Sequence, residues 1–351
     1  MKWAGRLAPV RAEYSNEKVH GQPCDQPDVF LRPPVQPAWG QRVIVQTINL
    51  TKRYGKLVAL NNLHLEIEDG ECFGYIGPNG AGKTTTIRIL ATLLQPTWGE
   101  ARVCGHVVGY ESRRIRPLIG YVPDFFGAYE DMVVQEYLEF FAAAYDITGK
   151  KRTQIVGDVL ELTDLTYKRD ALVDSLSRGM KQRLSIARVL LHDPKLLLLD
   201  EPASGLDPRA RIEIRELLKE LHRMGKTILI SSHILPELAD LCTSIGIIER
   251  GELVFHGPVR EAVRRAQLGT VVHVVSPDDP EKCRAVLEKL PHVSEVQCNN
   301  GAVIVKLDQE TADFTFIAHA LLTHRLRIRE IKQEEVNLET AFMRLTKGIV
   351  Q

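Results

Sequence analysis

The chain has 351 residues, of which 44% are hydrophobic and 26% charged, and its 45 basic side chains balance its 45 acidic ones. This length indicates two or three domains, and the balanced charge gives no argument for nucleic acid as a main partner. No apolar run approaches the ~20 residues of a membrane-spanning helix, so any work at a membrane would need another chain to span it. Six cysteines without a C-x-x-C pair indicate reduced thiols in a cytosolic protein rather than a metal site.

The first part of the chain is predicted to hold a flexible leader and then a phosphate-binding loop. Residues 1–40 are rich in proline and polar side chains, which is typical of a segment without a fold of its own. Strand-like patterning begins at residues 42–50, and a short apolar strand over 71–76 runs into the sequence GPNGAGKTTT. A helix over residues 85–94 follows. Strand, glycine-rich loop and helix form the context that a phosphate-binding loop requires.

The glycine-rich loop matches the pattern G-x-x-x-x-G-K-[ST] at Gly77, Gly82, Lys83 and Thr84. Glycines allow the tight turn that points successive backbone N–H groups at phosphate oxygens, and the helix behind the loop adds its positive N-terminal dipole. In this pattern the lysine reaches the β- and γ-phosphates, and the threonine hydroxyl binds Mg²⁺. The loop therefore predicts a nucleotide site.

The rest of the chain is predicted to form an α/β cassette over residues 41–258 and a smaller α+β domain over 268–351. Helix patterns at 133–145 and 151–162 lie in a helical subdomain of about residues 125–192. Strands over 195–199 and 227–231 flank a helix over 209–223, which argues for a mostly parallel sheet. The C-terminal residues show the order βαββαβ, including a helix over 281–290 and a last strand over 326–332, which predicts a ferredoxin-like arrangement.

Two further motifs carry acidic and anion-binding groups. LLLLDEP predicts a buried strand that delivers Asp200 and Glu201 to the ligand edge of the sheet. There Asp200 would hold Mg²⁺, and Glu201 would act as general base on the attacking water. In LSRGMKQ, Ser177 and Gly179 open a predicted helix whose N-terminal amides, with the serine hydroxyl, form a second anion site. Taken alone, this second motif is more typical of an ordinary helix cap.

Together, GPNGAGKTTT, LSRGMKQRLSIAR, LLLLDEP, SGLDP and SSH resemble, in this order, the motifs of the ATP-binding subunit of an ABC transporter over residues 43–258. The resemblance implies a P-loop NTPase fold, ATP and Mg²⁺ as cofactors, and ATP hydrolysis with Glu201 and His233 as catalytic residues. It implies metal contacts from Thr84, Asp200 and Asp124. The residues that it implies for ATP are Tyr54, Gly77, Pro78, Asn79, Gly80, Ala81, Gly82, Lys83, Thr84, Thr85, Ser177, Gly179, Gln182 and Asp207.

Two positions depart from the usual pattern of this family. IGYVPD ends in Asp124 where the family usually has glutamine. Aspartate is one methylene shorter and brings another charge to the metal, so it would act through a water molecule. Arg178 is not the commonest residue at its place in the LSRGMKQ motif, although the neighbouring Ser177 and Gly179 are intact.

The resemblance also implies two partners. In this family the phosphate-binding loop of one subunit meets the LSRGMKQ motif of another across a head-to-tail dimer, so a second ATP-binding subunit is predicted, either the same chain or a related one. The other predicted partner is an integral membrane permease, which would hold the protein in the cytoplasm on the inner face of the cell membrane. Phe125, Phe126 and Tyr129 would line a groove for this permease, whereas Phe140 and Phe141 are expected in the core.

The C-terminal sequence VNLETAFMRLTKG resembles a tail found in subunits that serve exporters, which implies export of a drug, lipid or polysaccharide. Two alternatives remain: a non-transport ABC ATPase acting on the ribosome or DNA, and a degenerate cassette that binds ATP without turnover. The single cassette and the compact interval from Gly82 to Ser177 argue against the first. The presence of both Glu201 and His233 argues against the second.

Overall fold

The computed structural model describes residues 43–124, 127, 131–266, 271–299, 302–308, 313–333 and 338–346. The predicted leader over residues 1–40 lies outside these ranges, as do Phe125, Phe126 and Tyr129 of the predicted permease groove. Within the described residues the chain forms three β-sheets with helices packed around them.

The N-terminal sheet is antiparallel and begins with a long hairpin. Strand β1 (Val43–Tyr54) pairs with β2 (Leu57–Glu68) and with β4 (Trp98–Val103), and β5 (His106–Val107) completes the order β2-β1-β4-β5. Alternate side chains of β2 are buried, as expected for a strand with one face on the core.

The central sheet carries the predicted active-site motifs. Its order is β10-β9-β3-β8-β7-β6. The strands β3 (Cys72–Ile76), β6 (Ile119–Val122), β7 (Leu196–Asp200), β8 (Thr227–Ser232) and β9 (Ser244–Glu249) are parallel, and β10 (Glu252–Pro258) is antiparallel at one edge. All residues of β3 and β7 are buried, because alternate side chains enter hydrophobic clusters on opposite faces of the sheet. The predicted parallel sheet is confirmed.

Eight helices belong to this part of the described chain: α1 (Lys83–Leu90), α2 (Ser112–Ile115), α3 (Val134–Ala144), α4 (Gly149–Leu162), α5 (Arg178–Leu190), α6 (Pro208–Arg223), α7 (Leu235–Leu241) and α8 (Val259–Ala266). The buried guanidinium of Arg183 joins α5 to the end of α4, because its Nη1 donates to the carbonyls of Thr163 and Asp164 at 3.1 Å each. This contact stabilises the helical subdomain on which the LSRGMKQ motif lies.

One expectation about the helical subdomain is wrong. Phe141 packs against the core and lies 4.9 Å from the Tyr137 ring, centroid to centroid, but Phe140 is 50% exposed. Tyr137 and Phe141 are four residues apart and therefore share the inward face of α3. Phe140 is offset by about 100° from Phe141 around the helix, toward the edge of this face, and half of it reaches solvent.

Several element boundaries also differ from the predicted ones. The helix predicted over 85–94 starts earlier and ends at Leu90, because Thr92 takes a left-handed backbone conformation with φ of 62°. The helix predicted over 281–290 ends at Leu287. The strand predicted over 326–332 begins only at Glu330. Upstream of it, the N–H of Arg327 donates to the Asp278 carboxylate at 2.7 Å.

The C-terminal residues form a third, antiparallel sheet. Its strands are β11 (Val271–Val275), β12 (Val293–Asn299), β13 (Ala302–Leu307) and β14 (Glu330–Gln333), in the order β12-β13-β11-β14, with α9 (Pro280–Leu287) and α10 (Thr315–Thr323) packed on one core. The ferredoxin-like assignment remains a prediction that this strand order supports. The last helix, α11 (Leu338–Leu345), leaves this sheet and packs on α7 and α8, where Leu338 joins the core of the cassette.

Candidate active site

The phosphate-binding loop connects β3 to α1 at the carboxyl end of the central sheet, and Lys83 lies at its centre. Lys83 is only 5% exposed, and its Nζ donates to the Gly77 carbonyl at 2.6 Å and to the Pro78 carbonyl at 3.2 Å. A side chain on Gly77 would collide with the Ile248 carbonyl, so glycine is required there. Gly82 has φ of 108°, which is the left-handed region that glycine adopts without a steric penalty.

The remaining residues predicted for the loop are arranged around this lysine. Asn79 and Gly80 are exposed, Pro78 and Thr85 are half-buried, and Ala81 is buried. The loop is therefore exposed at Asn79 and Gly80, whereas the part that contains the Lys83 ammonium is buried.

Thr84 and Asp200 meet at the end of β7. The Thr84 hydroxyl donates to Asp200 Oδ1 at 3.1 Å, and the buried hydroxyl of Ser231, on the neighbouring β8, donates to the same oxygen at 2.9 Å. Burial raises the pKa of the Asp200 carboxyl, and the hydrogen bonds from Ser231 and Thr84 oppose this rise.

Glu201 lies between the lysine and the histidine. Its Oε1 lies 3.5 Å from Lys83 Nζ, and its Oε2 lies 2.7 Å from Nδ1 of His233, whose ring is half exposed. Burial lowers the pKa of the Lys83 ammonium, and the neighbouring Glu201 carboxylate opposes this shift. The structure thus brings together a cation, a carboxylate and an imidazole from three separate motifs.

The oxygen donors at Asp200 fit a magnesium ion that is shared with phosphate groups. Mg²⁺ prefers oxygen ligands, and proteins commonly bind it through one or two side chains together with substrate phosphates and water. The Thr84 hydroxyl and the Asp200 carboxylate supply two such oxygens at one place. The described part of the chain holds no cluster of three or more His, Cys, Asp or Glu side chains that could bind a metal without such help.

Asp124 lies on a bend just after β6 and is exposed. Its charge and that of Asp200 both bear on the pKa of the Tyr121 hydroxyl on β6. Burial raises the pKa of Tyr121, an Arg88 hydrogen bond opposes the rise, and the charges of Asp200 and Asp124 add to it. The structure shows no direct contact of Asp124 with Thr84 or Asp200 among the described residues.

Tyr54 lies at the end of β1, in the hairpin that packs on the phosphate-binding loop. A side chain on Gly82 would meet the Ala59 carbonyl of β2 at 2.7 Å, which shows how closely the hairpin approaches the loop. The Tyr54 ring is 47% exposed, and Lys52 Nζ lies 5.3 Å from its centroid. The ring is therefore accessible for stacking.

The LSRGMKQ motif forms the N-terminal end of α5. Ser177 is the N-cap and accepts from the Met180 N–H at 3.3 Å, so the predicted helix start is confirmed. Gly179 is buried, and a Cβ there would come within 2.7 Å of the Ala210 Cβ on α6. Gln182 is buried as well, and its Nε2 has no hydrogen-bond partner within the described ranges.

Arg178 and the SGLDP motif pack against each other, which the sequence does not indicate. A side chain on Gly205, which has φ of 65°, would lie 2.6 Å from Cζ of the Arg178 guanidinium. Asp207 follows as the N-cap of α6, and its Oδ1 accepts from the Ala210 N–H at 2.9 Å. No hydrogen bond or ion pair in the described chain joins Ser177, Gly179 or Asp207 to the phosphate-binding loop.

The fold and the site define a P-loop ATP-binding cassette, and comparisons with known proteins agree. Residues 60–204 match the family described as ABC transporter. The chain is 32% identical over 307 residues to the linearmycin resistance ATP-binding protein of Bacillus subtilis (strain 168), covering 86% of this chain and 98% of that protein. It is 36% identical over 303 residues to the Nod factor export ATP-binding protein I of Cupriavidus metallidurans, covering 86% of this chain and 97% of that protein.

Solved structures give the same result. The cbiO1 protein of Clostridium perfringens, described as part of an ABC transporter complex, has a TM-score of 0.58 and 27% identity, covering 64% of this chain and 95% of its own. A dimeric ATP-binding cassette in a post-hydrolysis state, bound to ADP and Pi, has a TM-score of 0.56 and 28% identity, covering 61% of this chain and 98% of its own. The chain therefore belongs to the family of ABC transporter ATP-binding subunits. None of the helices that the structure describes is both long and apolar enough to pass through a bilayer.

Ser231 is a further residue of the site, and its role does not follow from the sequence motifs alone. It stands in the SSH motif two residues before His233, and only the pairing of β7 with β8 brings it opposite Asp200. A signal was nevertheless present, because two parallel strands that both end in polar residues bring those residues to the same edge of a sheet.

Proposed function

We propose that this chain binds and hydrolyses ATP to power export through a separate membrane-spanning partner. The observation that carries the proposal is the line of contacts from Lys83 through Glu201 to His233, next to the pair of Thr84 and Asp200. A cation for phosphate, a carboxylate base and an orienting imidazole can together support the hydrolysis of a γ-phosphate.

The phosphate-binding loop would hold the triphosphate of ATP. Its backbone N–H groups would donate to phosphate oxygens, and Lys83 would exchange the carbonyls of Gly77 and Pro78 for the β- and γ-phosphates. Tyr54 would stack on the adenine ring, for which its exposed face is available.

Glu201 would accept the proton of the attacking water, and His233 would contact the γ-phosphate and help to position that water. The short contact between the Glu201 carboxylate and the His233 ring holds both groups for this purpose. Thr84 and Asp200 would hold Mg²⁺, with Asp124 acting through a water molecule. When bound, Mg²⁺ neutralises charge that develops on the phosphates.

A second subunit would complete the site. Ser177, Gly179 and Gln182 form an anion-binding helix start that lacks polar contacts with the phosphate-binding loop of its own chain, within the described residues. A head-to-tail dimer would bring this helix start to the γ-phosphate held by the partner, with Asp207 beside the interface. The cassette with 28% identity that is described as dimeric and bound to ADP and Pi supports the pairing of two subunits. ATP would then hold the two subunits together, and hydrolysis would release them.

The proposed direction of transport rests on the relatives. One is named for linearmycin resistance and several for Nod factor export. The membrane-spanning work would belong to an integral membrane permease, which places this protein in the cytoplasm against the inner face of the membrane. Recovery of a polytopic membrane protein with this chain from detergent-solubilised membranes tests that partner directly.

The variant Glu201→Gln tests the proposed chemistry. It keeps the size of the side chain but removes the base, so turnover is expected to fall by about 10²–10⁴-fold. Binding of ATP is expected to persist, and size-exclusion chromatography with light scattering should show an ATP-dependent dimer that does not separate.

Two further variants control this experiment. Glu220→Gln makes the same chemical change on a half-exposed turn of α6, where the Glu220 carboxylate pairs with Arg223, and should behave as wild type. Lys83→Ala removes a charged hydrogen bond worth about 1.5–3 kcal/mol, so it should weaken ATP binding by roughly 10- to 150-fold and prevent the dimer. A Glu201→Gln protein that hydrolyses ATP normally and stays monomeric refutes the proposed function.

A further inference from the structure

The buried hydroxyl of Ser231 contacts both acids of the LLLLDEP motif. In the parallel pairing of β7 with β8, Ser231 lies directly opposite Asp200 and is fully buried. Its Oγ donates to Asp200 Oδ1 at 2.9 Å and accepts from the backbone N–H of Glu201 at 3.0 Å. One hydroxyl therefore ties the side chain of one acid to the main chain of the next.

The backbone at Glu201 gives this contact particular weight. Glu201 has φ of 48°, a left-handed conformation that costs a residue with a Cβ about 1–2 kcal/mol. This turn points the N–H of Glu201 at Ser231, while its side chain reaches Lys83 and His233. This N–H is partly buried, and the Ser231 hydroxyl is its hydrogen-bond acceptor at 3.0 Å.

The adjacent serine has a different task. Ser232 Oγ accepts from the Ile234 N–H at 2.9 Å and so supports the turn that carries His233. The two consecutive hydroxyls at the end of β8 therefore contact different parts of the site. Ser231 contacts the Asp200 carboxylate and the Glu201 main chain, and Ser232 supports the turn that carries His233.

We propose that Ser231 is a positioning residue for ATP hydrolysis, which fixes Asp200 and Glu201 relative to each other through its single hydroxyl. The inference rests on the proposed function and adds a residue to it. Ser231 touches neither nucleotide nor water in this role; it acts through the two acids. Loss of the hydroxyl should therefore slow the chemical step and leave nucleotide binding by Lys83 and the glycine loop largely unchanged.

The sharpest test compares Ser231→Thr with Ser231→Val, because these two side chains have the same shape and differ only in the hydroxyl. Ser231→Thr is expected to keep kcat within about threefold of wild type. Ser231→Val is expected to lower kcat by roughly 10- to 100-fold, since a displacement of about 1 Å at a reacting group costs on this order. Both should bind a fluorescent ATP analogue in EDTA with affinities within about twofold of wild type.

A matched control lies at the other end of the same strand. The hydroxyl of Thr227 is also fully buried, donates to Asp69 Oδ1 at 3.2 Å and accepts from the Gly70 N–H at 2.8 Å, far from the two acids. Thr227→Val removes a buried hydroxyl from β8 and is expected to lower the thermal midpoint without a tenfold change in kcat. Any general effect of a weakened β8 would appear equally in this variant.

The outcomes separate the two levels of inference. Equal kcat for Ser231→Thr and Ser231→Val, or an equal loss of kcat in Thr227→Val, overturns the positioning role while the proposed function stands. A loss of analogue binding in EDTA that matches the loss of kcat also overturns it, because the effect would then lie in the nucleotide site as a whole. If the wild-type protein itself shows no ATP turnover, the proposed function fails, and the positioning role fails with it.

Discussion

Gly179→Ala is expected to drive α5 and α6 apart at the point where the LSRGMKQ motif begins. The new Cβ would lie 2.7 Å from the Ala210 Cβ, whereas carbon atoms make their best contact at about 3.5–4.0 Å. Ala210 has little room to retreat, because its N–H is held by the Asp207 cap at 2.9 Å. The helices must therefore separate by about 1 Å or accept the overlap.

The size of the effect follows from two opposing contributions. Overpacking of this kind costs typically about 1–3 kcal/mol. Alanine in place of glycine within a helix returns up to about 1 kcal/mol. The two contributions together predict a destabilisation of up to about 2 kcal/mol. A second substitution, Ala210→Gly, isolates the overlap itself, because it removes the Cβ that the new side chain would strike.

Urea unfolding of the wild type, both single variants and the double variant gives this coupling energy. We expect the double variant to be more stable than the sum of the single changes by about 1–3 kcal/mol. Sites that do not interact add to within about 0.3–0.5 kcal/mol. A coupling below that limit would show that the two helices do not meet at Gly179 and Ala210, and the description of this packing would be wrong.

Two further predictions concern neighbouring parts of the site. In metal-free buffer, Asp200→Asn should be more stable than wild type at neutral pH, although inactive. Burial raises the folded-state pKa of Asp200 above its ordinary value of 3.8. The contribution of this carboxyl to the free energy of unfolding is therefore fully present below pH 3.8, and it is lost as the pH rises through the folded-state pKa. Urea unfolding from pH 3.5 to 8 should show the gap opening with pH, and a wild type that is as stable as the variant at pH 8 contradicts this. Gly205→Ala should cost about 1–2 kcal/mol, because φ of 65° disfavours a Cβ. Adding Arg178→Ala should restore little, since a guanidinium on a flexible side chain can move aside; a full rescue in thermal unfolding would contradict this reasoning.

The local parts of the site could be predicted from the sequence. The glycine loop, Lys83 and Thr84 lie in one continuous segment, and the apolar run before Asp200 predicts a buried strand that ends at the ligand edge. The structure places all of them together, as expected from strand, loop and helix order. Hydrophobic periodicity likewise predicts the central helices and most of the strands, because burial on one face is encoded within each segment.

The parts that could not be predicted depend on contacts between distant segments. The Ser231 hydroxyl reaches Asp200 across 31 residues, and only the register of β7 against β8 fixes that meeting. The packing of Arg178 on Gly205 depends on how α5 and α6 cross, which no local pattern contains. The exposure of Phe140 could not be predicted either. The sequence of a strongly apolar helix does not indicate which of its aromatic residues faces the core.

The return of α11 to the cassette has a practical meaning for anyone who shortens this protein. Leu338 and Ala341 fill space next to α8, where Ala262 is fully buried and Val259 partly so. A fragment that stops before the third sheet would therefore expose this apolar surface of the cassette to solvent, and we expect such a fragment to aggregate. The chain leaves the cassette after α8, forms the third sheet and returns to the cassette with α11. Truncation of the C-terminal region would therefore also remove side chains that complete the core of the cassette.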